Sequence, residues 1–306
     1  MNSRILVSGV SGPIGAALLP ALRVGGFSVV RLVRGTTTAG ARGVAQNDEQ
    51  IAWDPARPIS PEAVSGFDAV IHLAGESIIG RWTAAKKQKI RESRIAGTSN
   101  LAQALANAKV KPRVFISSSA IGYYGNRGDE ILKEESSAGT GFLPDVCREW
   151  EVATDAAAQA GIRTVLIRTG IVLSTAGGAL AKMLTPFKLG VGGIVGSGLQ
   201  WMSWIDVQDM VGAIQHIVKT DQLRGPVNLV APTPVRNAEF TKTLASVLSR
   251  PAIFPMPTFA VKLIFGEMGE TVLLGSQRVE PAELVASAYP FQFRELRDSL
   301  TATLGR

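Results

Sequence analysis

The chain has 306 residues, 46% of them hydrophobic and 19% charged, a globular composition with enough apolar matter for a sizeable core. Its formal charge of +7 is scattered, and the densest basic group (Lys86, Lys87, Lys89, Arg91 and Arg94) has no aromatic interleaving, so no nucleic-acid partner is expected. A single cysteine, Cys147, excludes an internal disulfide, and with only His72 and His216 beside it no usual zinc site is expected.

Taken in chain order, Ile5-Leu6-Val7 predicts a first buried strand and Ala16 to Val24 the helix after it. Ser28 to Val33 predicts a second strand. Residues 35–50 carry Gly, Thr, Ala and Asn without a period and are expected to form a loop. Asp68 to Leu73 reads as another strand, Thr83 to Ala108 as a long helix, and Val114 to Ser117 as a strand. Phe142 to Ala160 is helical in pattern, and Arg163 to Arg168 returns to strand. Strands alternating with helices of this length imply βαβ units and a parallel sheet.

After about residue 170 the pattern changes. Glycine becomes dense through Gly190, Gly192, Gly193, Gly196 and Gly198, which suggests a flexible wall or lid. A helix at Val207 to Lys219 and a strand at Val227 to Val230 lead back toward the sheet. The tail beyond Pro251 is richer in Pro, Met and Phe. The expected fold is therefore α/β: a Rossmann-type, doubly wound parallel sheet with a small, mostly helical C-terminal substrate lobe. The boundaries are 1–230 for the nucleotide-binding part, with 174–206 contributing to a substrate cleft, and 231–306 for the lobe. No apolar run reaches the roughly 18 residues of a membrane span. The first residues, Met1 to Val7, lack the pattern of a secretory signal, so a cytoplasmic setting without membrane partners is expected.

Gly9, Gly12 and Gly15 are spaced three and three between a strand and a helix. The first permits a tight turn, the second lets backbone approach a pyrophosphate, and the third lets helix and strand pack closely. Pro13 and Ile14 open the helix, whose free N–H groups and partial positive charge suit phosphates. A plain glycine-rich turn is the alternative. An NAD site places Asp or Glu at the end of the second strand for the ribose 2′-OH. Here that position reads Val33-Arg34-Gly35-Thr36. A carboxylate would repel a 2′-phosphate, whereas Arg34 can pair with it, so NADP(H) is favoured as the cofactor. Arg34 as an ordinary solvated strand end remains the other reading.

Gly9 to Gly15 with Asp68-Ala69-Val70-Ile71-His72-Leu73-Ala74-Gly75 resemble an extended short-chain dehydrogenase/reductase. Further blocks narrow this. They are Trp53-Asp54-Pro55, Leu73-Ala74-Gly75-Glu76, Arg81-Trp82, Ser93-Arg94 with Gly97-Thr98, and Ser119-Ala120-Ile121-Gly122-Tyr123-Tyr124-Gly125. Later come Arg148-Glu149-Trp150-Glu151, Arg168 to Leu173, Gly190 to Gly198, Trp204-Ile205-Asp206 and Ala231-Pro232. In the tail stand Gly266-Glu267, Leu273-Leu274, Gln277-Arg278-Val279 and Pro281. Together they resemble the atypical epimerase-family proteins, often labelled nucleoside-diphosphate-sugar epimerases, with that family's own C-terminal domain.

The resemblance implies a small-molecule substrate and NADP(H), with Val33 and Arg34 at the adenosine phosphate end and Leu73, Ala74 and Gly75 lining the cofactor. It also implies Lys89 and Arg94 approaching from the long helix and Val172 near the nicotinamide. Lys89 as a solvated residue is the alternative. Typical members use Ser, Tyr and Lys for proton transfer. Counting back from Glu151 puts Leu143 at the tyrosine position and Cys147 at the lysine position, and neither replaces that chemistry. Ser119 stands where the family serine sits, and Tyr123 follows closely, so these two are the candidate catalytic residues. Tyr123 and Tyr124 as packing residues is the competing reading. His72 reads as a core residue and Asp206 as a helix cap. Glu76 either reaches the cleft or faces water, and Trp201 and Trp204 either line it or pack.

Overall fold

The computed structural model describes residues 3–35 and 49–306. Strands β1 (Arg4–Ser8), β2 (Ser28–Arg34), β3 (Gln50–Trp53), β4 (Ala69–His72) and β5 (Val114–Ala120) are followed by β6 (Ile131–Leu132), β7 (Arg163–Thr169) and β8 (Ile171–Leu173). Then come β9 (Trp201–Met202), β10 (Trp204–Asp206), β11 (Gly225–Leu229), β12 (Val235–Arg236) and β13 (Arg278–Val279). The helices are α1 (Pro13–Val24), α2 (Ala84–Asn107), α3 (Phe142–Val152), α4 (Asp155–Gln159), α5 (Gly178–Lys188), α6 (Val207–Lys219), α7 (Asn237–Leu248), α8 (Thr258–Met268), α9 (Ala282–Ala286) and α10 (Leu296–Leu304).

Seven strands form one parallel sheet in the order β11-β7-β5-β4-β1-β2-β3. The order reverses direction between β1 and β4, the switch point where open α/β sheets bind ligands beyond the strands' carboxyl ends. Alternation along each strand divides the core into two layers. Ile5 and Val7 face α1 and α6 with Leu18, Leu22, Met210 and Ile214. Leu6 faces the other way, toward Leu101 and Leu105 of α2. Strands buried on both faces read as continuous apolar runs, which is why Ile5-Leu6-Val7 is legible as parallel strand.

Local signals set the helix starts. Pro13 occupies the first turn of α1, where its missing N–H costs nothing. Thr83 caps α2 by accepting from Lys86 N at 3.2 Å. Asp206 caps α6, accepting from Gln208 N at 2.7 Å, as expected. The helical pattern of 142–160 is broken in the structure. α3 ends at Val152 and α4 begins at Asp155, and Thr154 Oγ1 donates back to the Glu151 carbonyl at 2.7 Å, tightening the chain there. Of the expected loop, residues 36–48 lie outside the described residues, and Gln50 already belongs to β3.

The C-terminal region is mostly helical and has its own apolar core, in which Leu180 and Leu184 of α5 meet Phe240 and Leu244 of α7 and Leu296 and Leu300 of α10. Two buried carboxylates tie it to the sheet. Asp206 accepts from Ser299 Oγ at 2.6 Å and Thr303 Oγ1 at 3.0 Å. Asp209 accepts from Gln292 N and Phe293 N, both at 2.8 Å, and from the Tyr289 hydroxyl at 3.0 Å.

Candidate functional site: a dinucleotide crevice and an apolar cleft

The glycine turn sits at the switch point. Gly9 has φ +73°, and a Cβ there would stand 2.6 Å from the Leu73 carbonyl oxygen and 2.7 Å from Ala74 N. The ends of β1 and β4 are thus in backbone contact. A Cβ on Gly15 would stand 2.5 Å from the Gly9 carbonyl oxygen, so α1 packs tightly onto the turn. Gly12 is different: a Cβ there would meet only the Gly9 carbonyl oxygen, at 3.5 Å, leaving open space on the side a ligand approaches. No side chain caps α1. Its first-turn amides, at Ile14 and Gly15, therefore face the crevice mouth without a capping acceptor. Pro13 packs on the far rim, where a Cβ on Gly177 would lie 3.6 Å away, and the next residue, Gly178, approaches the Val172 carbonyl. These positions fit a dinucleotide, because the backbone is bare where a pyrophosphate must come close and the helix end is free to receive it.

The structure gathers several predicted cofactor residues around Glu76. Lys86 Nζ bonds Glu76 Oε1 at 2.7 Å. This hydrogen bond, with the nearby charges of Arg34 and Lys89, holds the Glu76 carboxyl below the usual carboxylate range. Arg34 is exposed at the end of β2, beside Trp53 of β3. Glu76 thus faces a cationic rim at a partly exposed position and is not among the residues lining the apolar cleft. Arg94 is more committed than the sequence suggests. Its guanidinium donates to the carbonyls of Glu76 at 2.9 Å and Ile90 at 3.1 Å and lies 4.9 Å from the Trp150 ring centroid. It organises the Gly75–Glu76 backbone directly.

Ser119 and Tyr123 meet at one ion pair. Ser119 Oγ donates to Glu151 Oε1 at 2.7 Å. Arg168 answers with Nε to Oε1 and Nη2 to Oε2, both at 2.9 Å. The Tyr123 ring lies flat under that guanidinium, 3.5 Å from centroid to Cζ. The Tyr124 hydroxyl donates to Asn228 Oδ1 at 2.7 Å and accepts from Arg168 at 3.0 Å, and burial pushes its pKa up to about 12. The central members, Arg168 and Glu151, escape sequence reasoning as a pair. The available signal is an arginine inside a strand otherwise apolar, which needs a buried partner.

Beyond the carboxyl ends of β5 and β7, and beside the start of β8, lies a cleft of about 500 Å³, lined among others by Ala120, Gly122, Thr169 and Ile171. Leu143 and Cys147 of α3 line it as well; a Cβ on Gly122 would stand 3.5 Å from Leu143 Cβ and 3.8 Å from Cys147 Sγ. Burial, then the Glu151 charge, push the Cys147 thiol up to about 12. The opposite wall comes from the C-terminal region, through Glu267, Thr271 and Leu273. A larger open groove of about 830 Å³ between α2 and α3 includes none of the glycine-turn or strand-end residues.

Other expectations resolve by geometry. His72 is fully buried, with Nδ1 2.7 Å from Ser8 Oγ and its ring edge-on to Trp53, and burial lowers its pKa to about 4. Trp201 lines the cleft, its indole N–H donating to Asp129 at 2.8 Å, whereas Trp204 is buried and donates to the Thr233 carbonyl. The glycine-rich stretch is laddered to the tail. Phe254 N donates to the Gly192 carbonyl at 3.3 Å and Met256 N to the Ile194 carbonyl at 2.8 Å. A side chain on Gly193 would collide with the Phe254 carbonyl, so the wall is a paired strap rather than a free loop. Among the described residues, no cluster of three or more His, Cys, Asp or Glu side chains could hold a metal, and no helix is long and apolar enough to cross a membrane.

Residues 5–229 match the NAD dependent epimerase/dehydratase family, and residues 256–303 match a domain of unknown function, DUF1731. The chain is 42% identical over 301 residues to an epimerase family protein of Mycobacterium bovis, covering 98% of this chain and 97% of that one. It superposes with TM-score 0.87 on a crystal structure of human epimerase family protein SDR39U1 (isoform 2) with NADPH, at 31% identity and 99% coverage of both chains. A nucleoside-diphosphate sugar epimerase from Corynebacterium glutamicum matches with TM-score 0.80 and 35% identity, over all of this chain and 59% of that one.

Proposed function

We propose, from the premise that this chain belongs to the NAD dependent epimerase/dehydratase family, that it is an NADP(H)-dependent oxidoreductase acting on a small molecule in the cleft beyond β5 and β7. The observation that carries this reading is the bare Gly9–Gly15 turn at the switch point, with Arg34 rather than a carboxylate at the end of β2 and Lys89 of α2 on the same cationic rim. The human relative's crystal structure with NADPH supports the same coenzyme.

When bound, the coenzyme supplies a hydride at its nicotinamide ring. The chain's own residues bind and orient. The Ile14 and Gly15 amides, at the positive end of α1, donate to phosphate oxygens. Arg34 and Lys89 pair with a 2′-phosphate, and Val33 packs at the adenosine end. Leu73, Ala74 and Gly75 line the cofactor, their backbone held by Gly9 on one side and Arg94 on the other. Val172 sits at the nicotinamide end. The engagement of Ser119 with Glu151 and the stacking of Tyr123 on Arg168 support a role in fixing the cleft floor rather than in moving protons. The lone buried thiol of Cys147 suits a reducing, cytoplasmic setting.

Two specific side chains favour a second reading. Leu143 and Cys147 leave the cleft without a Tyr–Lys pair, which supports a protein that holds NADP(H) without turnover, as a sensor. Epimerisation with the coenzyme retained is the other alternative. Thermal shift with NADPH, NADH and no ligand, followed by NADPH oxidation against a carbonyl panel, tests these. Preferential stabilisation by NADPH with net oxidation is expected. Stabilisation without oxidation favours the sensor, coenzyme retained through purification without net consumption favours epimerisation, and no stabilisation overturns all three.

A further inference from the structure

A sugar nucleotide asks two things of a cleft: a hydrogen-bond partner for each hydroxyl and cations for its diphosphate. This cleft offers little of either. Several of its polar side chains are already engaged within the protein. Gln277 Nε2 donates to the Ile121 carbonyl at 2.8 Å, and Ser203 Oγ donates to the Gln277 carbonyl at 2.8 Å. Asn237 Oδ1 accepts from Val195 N at 2.9 Å. Glu267 is paired with Lys87 at 2.7 Å and Glu270 with Lys262 at 2.9 Å. Arg94 is the one basic side chain among the described lining residues, and it holds two backbone carbonyls. Most of the remaining surface is apolar, with Phe142, Leu143, Ile171, Met183 and Met202 facing the same space beside the hydroxyls of Thr140 and Thr271.

The second constraint is protons. Hydride addition to an isolated ketone leaves an alkoxide about as basic as hydroxide. Such a product needs an acid in the site. Leu143 has no proton to give, and burial holds the Cys147 thiol at about 12. A quinone differs. Hydride delivery to one of its oxygens converts it directly to the anion of a phenol, whose pKa is about 10, and aromaticity stabilises that anion without help. Water then supplies the proton.

Resting on the NADP(H) oxidoreductase reading, we propose that the substrate of this cleft is a flat, uncharged quinone ring held between α3 and α5, and not a sugar nucleotide. The exchange balances as quinone plus NADPH plus H⁺ giving hydroquinone plus NADP⁺. The nicotinamide C–H bond breaks and an O–H bond forms as its hydride, with the electron pair, is delivered to one quinone oxygen. One new hydroxyl hydrogen comes from that hydride and the other from solvent.

Binding is read without coenzyme first. Apo protein is titrated with duroquinone, whose fully methylated ring has no open position for thiol addition, and the fluorescence of Trp150 and Trp201, both in the cleft lining, is followed. UDP-glucose is titrated in parallel, and the NADPH thermal shift is measured for each variant. The expected result is saturable quenching by the quinone and none by UDP-glucose. Met183→Glu weakens quinone binding tenfold or more, Met183→Leu restores it to within threefold, and the NADPH shift persists in both. NADPH oxidation then depends on the quinone. An intact NADPH shift with no quinone quenching, with quenching unchanged in Met183→Glu, or with saturable UDP-glucose binding instead, overturns the substrate assignment and leaves the coenzyme reading standing. Loss of the NADPH shift in the unmodified protein overturns both.

Discussion

Gly9 and Leu73, 64 residues apart in the chain, meet backbone to backbone at the point where the sheet reverses its winding. Gly9→Ala adds a methyl group into that contact and forces an L-residue to φ +73°. The left-handed backbone costs about 1–2 kcal/mol and the overpacking about 1–3 more. Urea unfolding is expected to show a loss of about 2–5 kcal/mol, set by those two terms. NADPH is expected to give little or no thermal shift in the folded fraction.

Arg34 tests the choice of coenzyme. Its replacement by alanine removes a charge-assisted contact worth about 1.5 kcal/mol at an exposed position, or roughly tenfold in affinity. Fluorescence titration is expected to show weaker NADPH binding and unchanged NADH binding. An equal loss for both coenzymes would make Arg34 a general packing residue and remove the argument for the 2′-phosphate.

Arg168→Met strands the Glu151 carboxylate in a nearly buried position; the two side chains are 4% and 12% exposed. Breaking such a pair from one side costs about 3–5 kcal/mol. The double variant Arg168→Met/Glu151→Met is expected to recover part of the loss, because no charge is left behind. Equilibrium unfolding of the two single variants and the double variant measures the coupling.

His72 makes stability depend on pH. Its pKa falls from 6.5 to about 4 on folding because the buried ring resists a charge. Between those values the unfolded chain binds the extra proton, so stability rises with pH there. The contribution is complete above pH 6.5 and is lost progressively as pH falls from 6.5 toward 4, about 3 kcal/mol in all as an order of magnitude. In His72→Gln, unfolding free energies measured from pH 4 to 7 are expected to lose this slope, whatever the variant's absolute stability.

Features set by neighbours in the chain were the legible ones. Pro13 and the three glycines announce the first βα turn, and Asp206 followed by the periodic apolar residues of α6 gives that helix from end to end. What stayed hidden depends on distant partners or on mixed local signals. The apolar spacing of Leu180, Leu184 and Phe187 marks α5, but Gly177, Gly178 and Pro186 argue against a helix locally, and tertiary burial overrides them. β3 is four residues long and is defined by its pairing with β2. The Ser119–Glu151–Arg168 contact joins three elements, so no window of sequence contains it. The same holds for the strap, where Gly192 and Phe254 read separately as loop and tail.

The two carboxylates that open α6 give the tail a part in making the protein. Asp206 and Asp209 are buried, and three of their four carboxylate oxygens, Asp206 Oδ2 and both of Asp209, accept from groups between residues 289 and 303. A ribosome still short of that stretch carries a chain in which the sheet is written but Asp209 lacks its donors and Asp206 has only the Gln208 amide. Docking of α10 therefore removes a desolvation cost that the shorter chain carries, and a nascent chain stalled before it should be a client for chaperones.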